Sequence, residues 1–232
     1  MRYFDDNIDP NDGGPLVTDD MRYKARLIMQ LRRSVRDTRV LGAMETVPRD
    51  QFVADGFHDQ AWVDQALPIG EAQTISQPTI VARMTEALDL TGRESVLEIG
   101  TGSGYQAAIL SRLARRVYSV ERIESLGRQA QERFTRLKYH NITTRIGDGT
   151  LGWPEVAPFE RIIVTAAGEG DPPSRLLEQL APGGIMVIPL GLSPVDQELV
   201  KITRGLDGSL DWQEICPVRF VPLVAGEIKR TG

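Results

Sequence analysis

The chain has 232 residues, with 27 Lys plus Arg against 32 Asp plus Glu and a formal charge of −5. Its 41% hydrophobic and 25% charged residues match a folded domain and exclude a disordered or collagenous chain. One cysteine, Cys216, excludes an intramolecular disulfide; no run approaches the roughly 18 apolar residues of a membrane span, and the start MRYFDDNIDP lacks a signal peptide's basic and apolar regions. The expectation is a cytoplasmic protein with no membrane partner, and the acidic balance disfavours a nucleic-acid partner.

Residues 1–20 carry six Asp and one Arg, with Gly13, Gly14 and Pro15, which predicts an acidic, flexible arm. Seven Lys or Arg follow between Arg22 and Arg39. Leu27, Ile28, Leu31 and Val35 share one helical face there, so an amphipathic helix with a solvated basic side is predicted. A second helix runs from Thr38 to just before Pro48. Residues 48–76 show no clean period and read as loops and short pieces. Gln77 and Pro78 then open a third helix, with Ile80, Val81, Met84, Ala87 and Leu88 on one face.

From residue 95 strands and helices alternate. The expected order is strand Ser95–Ile99, helix Tyr105–Ala114, strand Arg116–Glu121, helix Glu124–Lys138, strand Ile142–Ile146, strand Arg161–Thr165, helix Ser174–Leu180 and strand Ile185–Ile188. Two more strands, Gln197–Arg204 and Trp212–Val221, flank a turn at Asp207-Gly208. This alternation predicts an α/β fold with a mainly parallel sheet, to which the last pair adds an antiparallel C-terminal edge. The chain thus divides into the arm 1–20, an N-terminal helical and loop extension 21–90, and an α/β core 91–232.

The chemistry-bearing motif is Val96-Leu97-Glu98-Ile99-Gly100-Thr101-Gly102-Ser103-Gly104-Tyr105. A buried strand runs into three glycines and then a helix, which lets a ligand approach the backbone beside unpaired helix N–H groups. Gly104 stands four positions after Gly100, one fewer than in a dinucleotide fingerprint, and no Lys-Ser/Thr follows to hold phosphate and magnesium. A nucleoside ligand without a pyrophosphate fits this better. Glu121 ends the next strand, where an acid can accept two ribose hydroxyls. Asp148-Gly149 follows the third strand and reads either as a plain turn or as a contact to the base. Gly100, Glu121 and Asp148 all fall at the carboxyl ends of strands, where open α/β sheets bind ligands.

Several further stretches carry a resemblance. They are Ala66-Leu67-Pro68-Ile69-Gly70, Gln73-Thr74-Ile75-Ser76-Gln77-Pro78, Leu97 to Gln106, Tyr118-Ser119-Val120-Glu121, Gly147-Asp148-Gly149, Arg161 to Ala167, Leu180-Ala181-Pro182-Gly183-Gly184 and Val218 to Leu223. Together they resemble the protein-L-isoaspartate O-methyltransferase family over roughly residues 40–224. The glycine turn alone resembles any class I methyltransferase; Thr74-Ile75-Ser76 and Arg219 to Leu223 narrow the likeness to this family.

The resemblance implies a Rossmann-like class I fold and S-adenosylmethionine as methyl donor. It implies methylation of the α-carboxylate of L-isoaspartyl residues in damaged proteins and peptides, which then close to a succinimide and partly become normal aspartyl. It implies Ser76 as the active-site residue, and cofactor contacts from Thr74, Ile75, Gly100, Thr101, Gly102, Gly104, Glu121, Asp148 and Gly149. It implies substrate contacts from Val221, Pro222 and Leu223. No metal is implied, and the expected partner is an isoaspartyl-containing protein or peptide, bound by a monomer or weak homodimer. Ser76 also reads as an N-cap before Gln77-Pro78, a role compatible with the first. Val224 stands where many relatives carry a polar residue, and Gly168-Glu169-Gly170-Asp171 replaces a more apolar run. The competing expectation keeps the fold but changes the acceptor to one dedicated peptide, a small molecule or RNA, with the basic helix as its only support.

Overall fold

The computed structural model describes residues 19–228. Helix α1 (Asp19–Leu31) starts inside the stretch expected as an arm. Asp19 and Asp20 occupy its first turn, where carboxylates complement the helix dipole, and Asp20 accepts a bond from Trp62 Nε1 at 2.5 Å. The remainder of the expected arm lies outside the described residues. Leu27, Ile28, Leu31 and Val35 are all buried, as the periodicity predicts. Helix α2 (Thr38–Thr46) is N-capped by the Asp37 carboxylate, which accepts from Arg39 N–H.

The stretch without a clean period is ordered. Two 3-10 turns, Arg49–Phe52 and Asp55–Gln60, lead into an antiparallel hairpin of β1 (Leu67–Gly70) and β2 (Gln73–Ile75). Helix α3 (Pro78–Ala87) follows with Pro78 in its first turn, where the missing N–H leaves no bond unmade.

The core follows in order: β3 (Ser95–Ile99), α4 (Tyr105–Ser111), β4 (Arg116–Glu121), α5 (Glu124–Arg136), β5 (Ile142–Ile146), β6 (Phe159–Val164), β7 (Gly168–Glu169), α6 (Ser174–Glu178), β8 (Leu180–Ser193), β9 (Asp196–Arg204) and β10 (Leu210–Val218). The sheet order is β10-β9-β8-β6-β3-β4-β5, with β7 pairing only β8. From β8 to β5 every pairing is parallel, and β9 and β10 add antiparallel strands on one edge. This is the expected fold class.

Alternate strand residues serve two cores. Val96, Val117, Ile163 and Val187 join a cluster with Leu31, Met44, Phe52, Val81, Ile109 and Phe134 from the α1–α5 side. Leu97, Val120, Ile162 and Met186 join Leu176 and Leu180 on the other face. Strands buried on both faces explain why their sequences are continuous apolar runs rather than alternating ones.

Candidate active site

The carboxyl ends of β3, β4 and β6 meet the β1–β2 hairpin around a cavity of about 330 Å³, within the usual range for small-molecule sites of about 300–1,000 Å³. Thr74, Ile75, Ser76, Gly100, Thr101, Gly102, Glu121, Gly149, Val221, Pro222 and Leu223 all line it. Gly104 and Asp148, also expected here, do not.

Gly100 and Gly104 show why the turn needs glycine. Both have positive φ, 95° and 90°. A Cβ on Gly100 would strike Thr165 Oγ1, and one on Gly104 would lie 2.7 Å from the Phe134 ring. Thr165 closes the turn from β6, its Oγ1 donating to the Gly100 carbonyl at 2.7 Å. Gly104 thereby sets the helix–strand packing rather than facing the cavity.

Glu121 is buried at the end of β4. Its carboxylate accepts from Gly102 N–H at 2.8 Å and from Ile123 N–H at 2.9 Å, so the acid and the glycine turn fix each other. Behind them Glu98 is wholly buried, and burial pushes its carboxyl up to about 8, against the hydrogen bond from Ser119 and with help from the Glu121 charge. Thr101 and Ser119 hydroxyls bond at 2.6 Å, extending this chain to the turn.

Asp148 has another task. Its Oδ1 accepts from Thr150 N–H at 2.9 Å and Thr150 Oγ1 at 2.7 Å, capping the 3-10 turn Gly149–Leu151, while Oδ2 accepts from Gly226 N–H at 2.7 Å. Partial burial works to raise its carboxyl, but these bonds outweigh it and hold the group below its ordinary value. The turn reading of Asp148-Gly149 is the one its side chain satisfies, and only Gly149 faces the cavity.

A second cavity of about 620 Å³ adjoins the first and shares Thr74, Ser76, Thr165 and Val221 with it. Asp196, Gln197 and Glu198 from β9, with Pro217 and Val218 at the end of β10 and Arg219 and Phe220 just after it, form its far wall. Ser76 is half-buried at this junction, and its hydroxyl makes no hydrogen bond to another described residue. The capping reading of Ser76 does not hold: the N-cap of α3 is Gln77, with no side-chain cap bond. Asp64 does that work from a distance, accepting from Thr79 N–H at 2.8 Å and Thr79 Oγ1 at 2.7 Å.

The segment after β10 is held from inside. Gln197 grips Phe220 with both amide atoms, at 2.7 Å to its N–H and 3.2 Å to its carbonyl. Ala167 N–H donates to the Val221 carbonyl at 2.8 Å, and Leu223 N–H to the Ala167 carbonyl at 2.7 Å. Gly168-Glu169 forms β7 beside β8, and Val224 lines the first cavity with an apolar side chain. Sequence reasoning passes over Asp64 and Gln197, because polar residues of this kind carry no motif until the fold brings them together.

Residues 21–228 match the family model described as protein-L-isoaspartate(D-aspartate) O-methyltransferase. A protein-L-isoaspartate O-methyltransferase of Rhodospirillum centenum is 58% identical over 87% of this chain and 91% of its own length. One of Paramagnetospirillum magneticum is 59% identical over 87% of this chain and 94% of its own. A solved protein-L-isoaspartate O-methyltransferase superposes with a TM-score of 0.76 at 28% identity over 86% of this chain, which spans 65% of that chain. With a family match over almost its whole length and relatives identical at more than half of the aligned positions, this chain belongs to the protein-L-isoaspartate(D-aspartate) O-methyltransferase family.

Proposed function

We propose that the first cavity binds S-adenosylmethionine and that the adjoining groove presents the α-carboxylate of an L-isoaspartyl residue to Ser76. The reaction is the one for which the family is named: methyl transfer from S-adenosylmethionine to isoaspartyl sites in damaged proteins and peptides, which starts their repair. The residues present fit that donor. The glycine turn opens its backbone to the cavity, and Glu121 has acceptor capacity left after its two internal bonds.

S-adenosylmethionine supplies a methyl group on a positively charged sulfur, an electrophile that needs no further activation. The acceptor carboxylate, with a pKa of roughly 4, is already ionised at neutral pH, so the chain need provide no general base. What it must provide is alignment. Ser76 donates its hydroxyl hydrogen to a carboxylate oxygen of the acceptor. A neutral donor suits this step, because opposite charges cancel as the methyl moves and a fixed cation would stabilise the reactants more than the transition state. Thr74 and Ile75 cover the donor side, and Val221, Pro222 and Leu223 wall the passage between donor and acceptor.

The observation that carries this reading is the position of Ser76, shared by both cavities with an uncommitted hydroxyl. Two synthetic peptides differing only in one isoaspartyl or aspartyl linkage test it with methyl-labelled S-adenosylmethionine. Base-labile label on the isoaspartyl peptide alone is the expected result. Label on neither, with S-adenosylhomocysteine still bound, would overturn the acceptor assignment and leave the donor site standing.

A further inference from the structure

The β1–β2 hairpin carries Thr74 and Ile75 and delivers Ser76, so what fixes its base also fixes the active-site hydroxyl. Arg49 lies at that base with no exposed surface. Its Nη2 donates to the Ser76 carbonyl at 2.9 Å and reaches the Gln65 carbonyl at 3.4 Å, one on each leg of the hairpin. Its Nε donates to the Ala61 carbonyl at 3.0 Å. The guanidinium carbon stands 4.8 Å from the centre of the Tyr105 ring, and Tyr105 both opens α4 and lines the donor cavity.

Burying a cation with no carboxylate bonded to it, and with its Nη1 left without a hydrogen bond among the described residues, is unfavourable compared with a packed apolar side chain of similar size. The geometry gives this one a task that an apolar group cannot do. Arginine's planar fork bonds several carbonyls at once while its face stacks on an aromatic ring; lysine offers three donors on a single nitrogen and no planar face.

We propose that Arg49 is a positioning residue for methyl transfer. It ties the two legs of the hairpin together and sets the Ser76 hydroxyl relative to the glycine turn through the Tyr105 ring. The inference rests on the role given to Ser76 above and adds that Arg49 acts through it.

The test is a double-mutant cycle of Arg49→Lys and Ser76→Ala, followed by steady-state kinetics with the isoaspartyl peptide, S-adenosylhomocysteine calorimetry and thermal melts. Arg49→Lys should lower kcat about 10- to 100-fold, since small misplacements cost rates of that order, while KM for S-adenosylmethionine and affinity for S-adenosylhomocysteine stay within about threefold. In the Ser76→Ala background the same change should lower kcat less than about threefold, because the hydroxyl it positions is gone. An equal loss in both backgrounds, no loss at all, or a parallel loss of S-adenosylhomocysteine binding would each overturn the proposal. Should the lysine variant not fold, the Arg49 Nε–H resonance of the wild-type protein serves instead. It should shift when isoaspartyl peptide is added to the S-adenosylhomocysteine complex, and a resonance that stays put would overturn the proposal. A wild-type enzyme that does not methylate the isoaspartyl peptide would overturn the parent reading, and this one with it.

Discussion

Glu121 gives one lone pair of each carboxylate oxygen to the protein, through Gly102 N–H and Ile123 N–H. About two of its four acceptor sites remain, enough for a pair of vicinal hydroxyls. Glu121→Gln replaces one acceptor by an amide donor that faces an N–H. Affinity for S-adenosylhomocysteine should fall about 10- to 100-fold, the equivalent of about 1.5–3 kcal/mol for charged hydrogen bonds, as read by calorimetry. Unchanged affinity would remove the ribose role. Glu98 predicts a pH dependence instead. With its carboxyl raised from 4.5 to about 8, the folded chain holds a proton there that the unfolded chain has released. Stability is therefore full below about pH 4.5 and falls as pH rises from there through about 8, by on the order of 5 kcal/mol. Glu98→Gln should flatten that fall and leave stability at pH 4 nearly unchanged, as measured by urea unfolding at pH 4, 6 and 8.5. Of these two acids only the place of Glu121 at the cavity is legible in the sequence, because a strand-end acid beside a glycine turn has a fixed position. The neutral state of Glu98 depends on burial and on the nearby Glu121 charge, which outweigh the Ser119 hydrogen bond and which only the parallel pairing of β3 with β4 brings together.

At the scale of elements, the strands β3, β4 and β5 have the bounds that their apolar runs predict. The β1–β2 hairpin is different. Its strands have four and three residues, too few to show a period, and its turn lacks the Asn-Gly signature of a tight hairpin. Glu71 and Ala72 nevertheless take positive φ, 52° and 54°. Such a conformation costs roughly 1–2 kcal/mol for a residue with a Cβ. Packing supplies the compensation: the hairpin buries Leu67 and Ile75, and Glu71 accepts from Ser125 Oγ at 2.8 Å. Ala72→Gly should therefore raise stability by about 0.5–1 kcal/mol, net of glycine's larger unfolded entropy, and calorimetric melting should show a higher Tm. A lower Tm would mean that the turn is not strained. Another misread element is β8, which extends from Leu180 to Ser193, well beyond the expected Ile185–Ile188, while the expected strand Trp212–Val221 stops at Val218 and the expected helix Ser174–Leu180 stops at Glu178. Pro182-Gly183-Gly184 punctuates the sequence as a stop, but pairing with β6 and β9 carries the strand past it at its start and its end.

For the molecule as a whole, the last part of the chain returns to the site it began to build at residue 74. After Leu223 it crosses the ends of β4 and β5. Arg122 Nε donates to the Gly226 carbonyl at 3.1 Å, and Ile228 bonds Arg122 and Glu124 backbone groups at 2.7 and 3.1 Å. With the Asp148–Gly226 bond at 2.7 Å, these contacts hold Val221 to Val224 against the donor cavity. The strap itself is exposed and adds little to either core, so its contribution should be to ligand affinity rather than to folding. A chain ending at Val224 loses these four bonds along with the rest of the strap's contacts and keeps the Ala167 pairing. Its Tm should fall by no more than a few degrees, while its affinity for S-adenosylhomocysteine should fall about tenfold, in proportion to one or two net hydrogen bonds of about 0.5–1.5 kcal/mol each that no longer order the cavity wall. Asp148→Ala in the full chain should give part of the same loss, since it frees the Gly226 N–H while leaving the Gly226 carbonyl on Arg122 and Ile228 in place. If truncation and Asp148→Ala both leave affinity unchanged, the wall is held by Ala167 and Gln197 alone, and the strap has no part in binding.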